Sequence, residues 1–149
     1  MTDDTEFAAN FSFPIEAGKI REFARATLDD NPLYRSKEDA TRAGFADIPA
    51  PPTFAMASVF FQTPESQVPL DLDFRYALHG EQEFEYLGPI LAGDQLTGRS
   101  RISDRYEKQG KRGGTMVFTV LETQYRNQRD ELVLNVRQTL IQPEGALKE

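Results

Sequence analysis

The run Asp29-Asp30-Asn31-Pro32-Leu33-Tyr34 gathers two carboxylates, an amide and a phenol within six residues. A carboxylate whose pKa is raised can act as a general acid or base near neutral pH. A phenol is poorly placed to do so: from a pKa near 10 it would have to fall by about three units, and Arg35 is the one obvious cation beside it. Tyr34 is therefore predicted to hydrogen-bond or pack. For Asp29 two roles stand side by side, general acid/base and cap of local amides, because Asp-Asn-Pro is a common turn formula. The only histidine, His79, is a second candidate base, although no spacing rule brings it to Asp29. Its competing role is a strand residue at a solvent or subunit face. The chain has no cysteine, which removes thiolate catalysis, disulfides and cysteine-held metals. Asp71, Asp73 and the alternating Glu81, Glu83 and Glu85 come without a histidine-rich ligand set, so no metal is predicted.

The net charge of −7 argues against nucleic acid, whose phosphates demand a basic footprint. Any other anionic partner would need a local basic patch, and the densest candidate is Arg99, Arg101, Arg105, Lys108, Lys111 and Arg112. That stretch reads either as a solvated strand face and turn or as an attractor of phosphates and acidic surfaces.

These side chains need a scaffold, and periodicity predicts one. At 149 residues with 39% apolar content, one core and a single domain over 1–149 are expected. Up to about Pro64 the pattern is helical, and from about Leu78 it has the period of strands, which together predict an α+β fold. Ile20, Phe23, Ala24 and Leu28 share one helical face, predicting a helix between about Ile15 and Leu28. Ser36-Lys37-Glu38-Asp39 is a capping-box pattern with Gly44 as its stop, so a second short helix follows. Thr53 to Phe61 is apolar nearly all round, opened by Pro52 with Thr53 as N-cap, and is expected to be buried. Leu96 and Ile102 alternate with Arg99 and Arg101, and Leu132, Leu134 and Val136 with Asn135 and Arg137, as half-buried strands do. Met116 to Leu121 is apolar on both parities, as a central strand would be. Gly110 to Gly114 and Asn127 to Asp130 supply turns, and Asp94 reads as the turn residue before a strand. An antiparallel sheet wrapped around the Thr53–Phe61 helix is the physical description of a hot-dog fold.

In order and type these pieces resemble the MaoC-like dehydratases, or hydratase 2 enzymes, whose loop reads Asp-x-Asn-Pro-aliphatic-His. Here Asp29, Asn31, Pro32 and Leu33 match, and Tyr34 stands at the histidine position. Where active members read His-Gly-Met at the start of the buried helix, this chain reads Pro51-Pro52-Thr53-Phe54, so only Thr53 or Phe54 could offer an amide to a thioester carbonyl. Ala50 to Phe54, Leu78 to Tyr86 and Leu91 to Asp94 are more similar to the N-terminal, FAS1-type half. Such domains act as non-catalytic subunits of heterodimeric (3R)-hydroxyacyl-thioester dehydratases.

The resemblance implies catalytic-loop positions Asp29, Asn31 and Tyr34 and substrate-binding positions Thr53, Phe54 and His79. It implies no resident cofactor, the substrate being an acyl thioester on coenzyme A or acyl carrier protein, and a homo- or heterodimer with another MaoC-like subunit. Two alternatives remain, a self-sufficient homodimeric (R)-specific enoyl-coenzyme A hydratase using Asp29 and an acyl-thioester-binding module without turnover. The acidic amino-terminal stretch lacks the features of a secretory signal and no apolar run is long enough to span a bilayer, so a cytoplasmic location is expected.

Overall fold

The computed structural model describes residues 7–145; the acidic stretch 1–6, on which the reading of a non-exported chain rests, and 146–149 lie outside the described residues. Five strands form one antiparallel sheet: β1 (Phe11–Pro14), β2 (Leu78–Tyr86), β3 (Gln95–Gln109), β4 (Thr115–Arg126) and β5 (Leu132–Pro143), in the spatial order β1-β3-β4-β5-β2. Helices α1 (Ala17–Ala26) and α2 (Lys37–Arg42) precede a central 3-10 helix, Phe54–Phe61, whose inner side packs on the sheet. This is the α+β hot-dog arrangement that the sequence predicts.

The register explains the core. Phe11, Gly98, Tyr125, Leu134 and Tyr86 stand opposite one another in a single row across all five strands. The ring of Phe11 lies over Gly98, where any added Cβ would collide with it, so the glycine is required by that close approach. One step along, Ser100, Thr123, Val136 and Phe84 form a second row on the same face. The opposite face carries Arg101, Glu122, Arg137 and Glu83 in a row of alternating sign. Cross-strand neighbours of opposite charge are favourable, and like charges are not. The basic stretch is thus partly neutralised within the sheet: Arg101 and Glu122 are nearly buried and paired at 3.0 Å, and the ring of Phe7 lies under the guanidinium groups of Arg99 and Arg101. The expected solvated face does not describe these two arginines, whereas Lys111 and Arg112 are exposed in the β3–β4 turn.

Several other expectations are corrected. The first helix, Ala17–Ala26, lies within the expected span, but the helical reading of the first half overlooked Phe11–Pro14, which pairs with β3 as an edge strand. Four residues ending in proline carry too little alternation to declare a strand. The Thr53–Phe61 helix is not buried all round. With three residues per turn, its side chains fall into three stripes. Ala55, Ser58 and Phe61 face the sheet side, Met56, Val59 and Gln62 border a cavity, and Phe54, Ala57 and Phe60 border a groove against α1. Phe60 is 87% exposed. Thr53 holds the N-cap position, yet its side chain makes no capping hydrogen bond. The second helix follows the sequence: Ser36 accepts from the Asp39 amide, and Gly44 adopts φ +95° just beyond the end. Asp94 closes the turn before β3 by accepting from the Leu91 amide at 2.9 Å.

Candidate functional site

Helix α1 ends in a left-handed turn that delivers the Asp29 loop. The Asp29 amide donates to the Ala24 carbonyl at 2.8 Å and the Leu28 amide to Arg25 at 3.1 Å, a Schellman pairing in which Leu28 takes the left-handed position, φ +57°. Asp29 then accepts from the Asn31 amide at 3.0 Å, and Asn31 accepts from the Leu33 amide at 3.2 Å, capping the short 3-10 turn Pro32–Tyr34. Arginines staple the loop from outside: Arg35 donates to the Asp30 carbonyl at 2.7 Å, and Arg21 to the Arg35 carbonyl at 2.9 Å. A cavity of about 550 Å³ opens here, with Arg21, Arg25, Asp29, Asn31, Tyr34 and Arg35 among its walls.

Tyr34 is buried, and its pKa is raised, first by burial and then by the nearby Asp29 carboxylate. It also borders a second cavity of about 400 Å³ with Leu33, Pro52 and Tyr86, so Tyr34 lies on the walls of both spaces. The Tyr86 hydroxyl donates to the Pro52 carbonyl at 2.7 Å. Burial of that end of the ring, with Tyr34 close by, pushes its pKa up to about 12. At neutral pH both phenols are hydrogen-bond donors.

The remaining sequence candidates fall in different places. Thr53 is exposed beside Pro52. Phe54 is a core residue, stacked on Phe13 and edge-on to Phe23, and its amide already donates to Pro51 at 2.9 Å, which leaves the Thr53 amide as the candidate of the two. His79 stands on β2 opposite Leu140, exposed and 3.0 Å from the Gln82 side-chain oxygen. It is not among the residues that line the cavity of Asp29. The structure thus brings together Asp29, Asn31 and Tyr34, sets Thr53 and Phe54 at the start of the central helix, and leaves His79 on the edge strand. Among the described residues, no group of three or more acidic or histidine side chains is gathered as a metal site would need.

A further cavity lies on the inner face of the sheet. About 700 Å³ is bordered by Met56 and Val59 of the central helix, Leu121, Val136 and Leu140 of the sheet, and the segment from Gln67 to Leu72. That segment is tied down by the buried Gln142, which donates to the Asp71 carbonyl at 3.1 Å and accepts from the Asp73 amide at 2.9 Å. Sequence reading missed this cavity and two of the three arginines around Asp29, having named only Arg35. Arg21 and Arg25 carried a legible signal, i and i+4 on one helix face, whereas the cavity depends on strand register.

A sequence family described as "FAS1-like, dehydratase domain region" matches residues 4–136. The chain is 32% identical to a UPF0336 protein of Saccharopolyspora erythraea over 91% of this chain and 85% of that protein. It is 45% identical to one from Streptomyces avermitilis over 60% of this chain and 62% of that protein, and in several such relatives the match spans about three fifths of their length. Among solved structures, a chain of the C-terminally truncated HadBC (3R-hydroxyacyl-ACP dehydratase) complex from Mycobacterium tuberculosis superposes with a TM-score of 0.70 at 27% identity, covering 95% of this chain and 99% of that one. The sheet order, the central helix and the Asp29 loop thus come with a sequence match over most of the chain, which belongs to the FAS1-like dehydratase region family.

Proposed function

We propose that this protein is the acyl-thioester-binding subunit of a (3R)-hydroxyacyl-coenzyme A or acyl-carrier-protein dehydratase, working with a second MaoC-like chain that supplies the catalytic Asp and His. The observation that carries this reading is Tyr34. At the position where an imidazole would take and give the proton there is a buried phenol, held protonated by burial and by the carboxylate of Asp29. A neutral phenol can donate a hydrogen bond to a carbonyl but is not a base at pH 7. The three arginines around the Asp29 cavity suit the phosphates or acidic surface of a thioester carrier, and the 700 Å³ cavity suits an acyl chain. No resident cofactor is needed, because the thioester brings its own activation. The proposed setting is the cytoplasm, where such carriers work. Among the described residues, no helix is long and apolar enough to cross a membrane.

The test compares the purified chain alone with the chain mixed with a MaoC-like partner that retains the intact Asp-x-Asn-Pro-aliphatic-His loop. Alone it is expected to bind enoyl-coenzyme A without hydrating it, and the mixture to exceed the partner's own rate. Hydration of crotonyl or longer enoyl-coenzyme A by the isolated chain, abolished by Asp29→Asn, would overturn the assignment.

A further inference from the structure

Four buried hydroxyls border the 700 Å³ cavity. Ser58 of the central helix and Tyr125 of β4, each 3% exposed, lie 2.8 Å apart. Ser100 and Thr123, cross-strand partners 3% and 6% exposed, also lie 2.8 Å apart. Each hydroxyl has one hydrogen to give and can accept two. Within each pair only one of the two hydrogens lies between the oxygens, so one hydrogen per pair remains for another acceptor. For the first pair the alternative is the Ala55 carbonyl, 3.5 Å from the Tyr125 oxygen, well beyond the usual range for O–H···O. For the second pair no other partner is present among the described residues. Gln138, half-buried on the same wall, adds an amide.

Packing does not require these groups. Alanine, valine and phenylalanine would fill nearly the same volumes, and the rest of the wall consists largely of such residues. A bare hydrocarbon in this space would leave the spare hydrogens without an acceptor, and a buried unmet donor is unfavourable. We infer that the cavity selects an acyl chain carrying an oxygen substituent, a hydroxyl or a carbonyl, further along the chain than the third carbon, at the depth of the Ser58–Tyr125 and Ser100–Thr123 pairs. The oxygen would accept from one or both pairs, while its flanking methylenes rest on Leu121, Val136 and Leu140. This rests on the reading of the protein as an acyl-thioester binder.

The experiment measures, by titration calorimetry on the purified chain, the affinity of dodecanoyl-coenzyme A and of a series bearing one hydroxyl or keto group at successive carbons from the fourth outward, the third being the position that the dehydratase reading already assigns. One position in the series is expected to bind about tenfold tighter than the parent, as one well-made hydrogen bond allows. Tyr125→Phe should bring that ratio below twofold, and so should Thr123→Val if the oxygen reaches the second pair; circular dichroism and thermal melting confirm the fold of each variant. A flat series, every member matching the parent, overturns the inference while leaving the thioester reading intact, the hydroxyls then serving water or packing. Absence of binding by the parent and every analogue overturns the thioester reading itself. A preference that survives Ser58→Ala, Tyr125→Phe and Thr123→Val alike also overturns the inference, since the selecting groups would lie elsewhere.

Discussion

A phenol can be told from a base by the direction in which its neighbours push it. Burial raises the pKa of Tyr125 to about 12, with Ser58 pulling the other way and Tyr86 adding to the rise. In the unfolded chain a tyrosine titrates near 10, so the native state holds this proton more tightly. The resulting stability is fully present below pH 10 and is lost as the pH climbs through about 12. The loss attached to Tyr125 is about 3 kcal/mol, and Tyr86, more exposed to solvent, contributes less. Denaturant unfolding between pH 9 and 12 should therefore show a fall in midpoint that Tyr125→Phe largely flattens. An unchanged pH slope in that variant would show that its burial is not what couples stability to pH. At this scale the sequence was informative about type and silent about company. The local capping bonds of Asp29 and Asn31 span only two residues; for Asp29 capping was one of two roles the sequence left open, and for Asn31 only a place in the catalytic loop was expected. The meeting of Ser58 with Tyr125 joins positions 67 apart and leaves no local trace.

Among the elements, the end of α1 is the place where local preference and observed backbone disagree. Leu28 takes a left-handed conformation that glycine would adopt without penalty, and its side chain is almost wholly exposed. A left-handed non-glycine residue costs roughly 1–2 kcal/mol, against up to about 1 kcal/mol of extra backbone entropy lost by glycine. Leu28→Gly is thus expected to raise stability by about 0.5–1 kcal/mol, seen as a higher urea midpoint; a lowered midpoint would mean that the leucine side chain makes a stabilising contact. The helix pattern was legible over α1 and α2 because their apolar spacing and cap residues are local. The central helix was legible in position but not in kind. An eight-residue apolar run carries no signal that distinguishes a buried cylinder from a 3-10 helix that buries Phe54, Ala55 and Ser58 and leaves Met56, Val59 and Phe60 exposed. The bulge between Ile102 and Asp104 was equally hidden, and it reverses which face the later residues of β3 present.

Taken as a whole, the molecule leaves apolar surface that a lone chain would be expected to cover. Met56, Val59 and Phe60 on the central helix, with Phe74, Leu78 and Leu87 around β2, are exposed. The proposed pairing with a second hot-dog chain would bury part of this surface, and a buried phenylalanine contributes about 1.5–3 kcal/mol. Phe60→Glu is accordingly expected to weaken association at least tenfold in sedimentation velocity, with the fold unchanged by circular dichroism. Identical mass distributions for the two proteins would place the contact away from this stripe. The outer face of β3, β4, β5 and β2 needs no such cover, since its arginines and glutamates alternate across the strands.

Gln142 anchors the segment bordering the 700 Å³ cavity through its side chain, to Asp71 and Asp73. Residues 67–77 belong to no strand or helix, and the sheet's register makes no use of them. Substitutions or changes of length there would alter the shape of the chamber while leaving every strand pairing in place. A lineage could therefore explore new chain lengths and branches by small steps in one surface loop, with Gln142 and the Arg105–Asp71 pair preserving its attachment, and the same stretch is the natural place for an engineer to graft a different specificity.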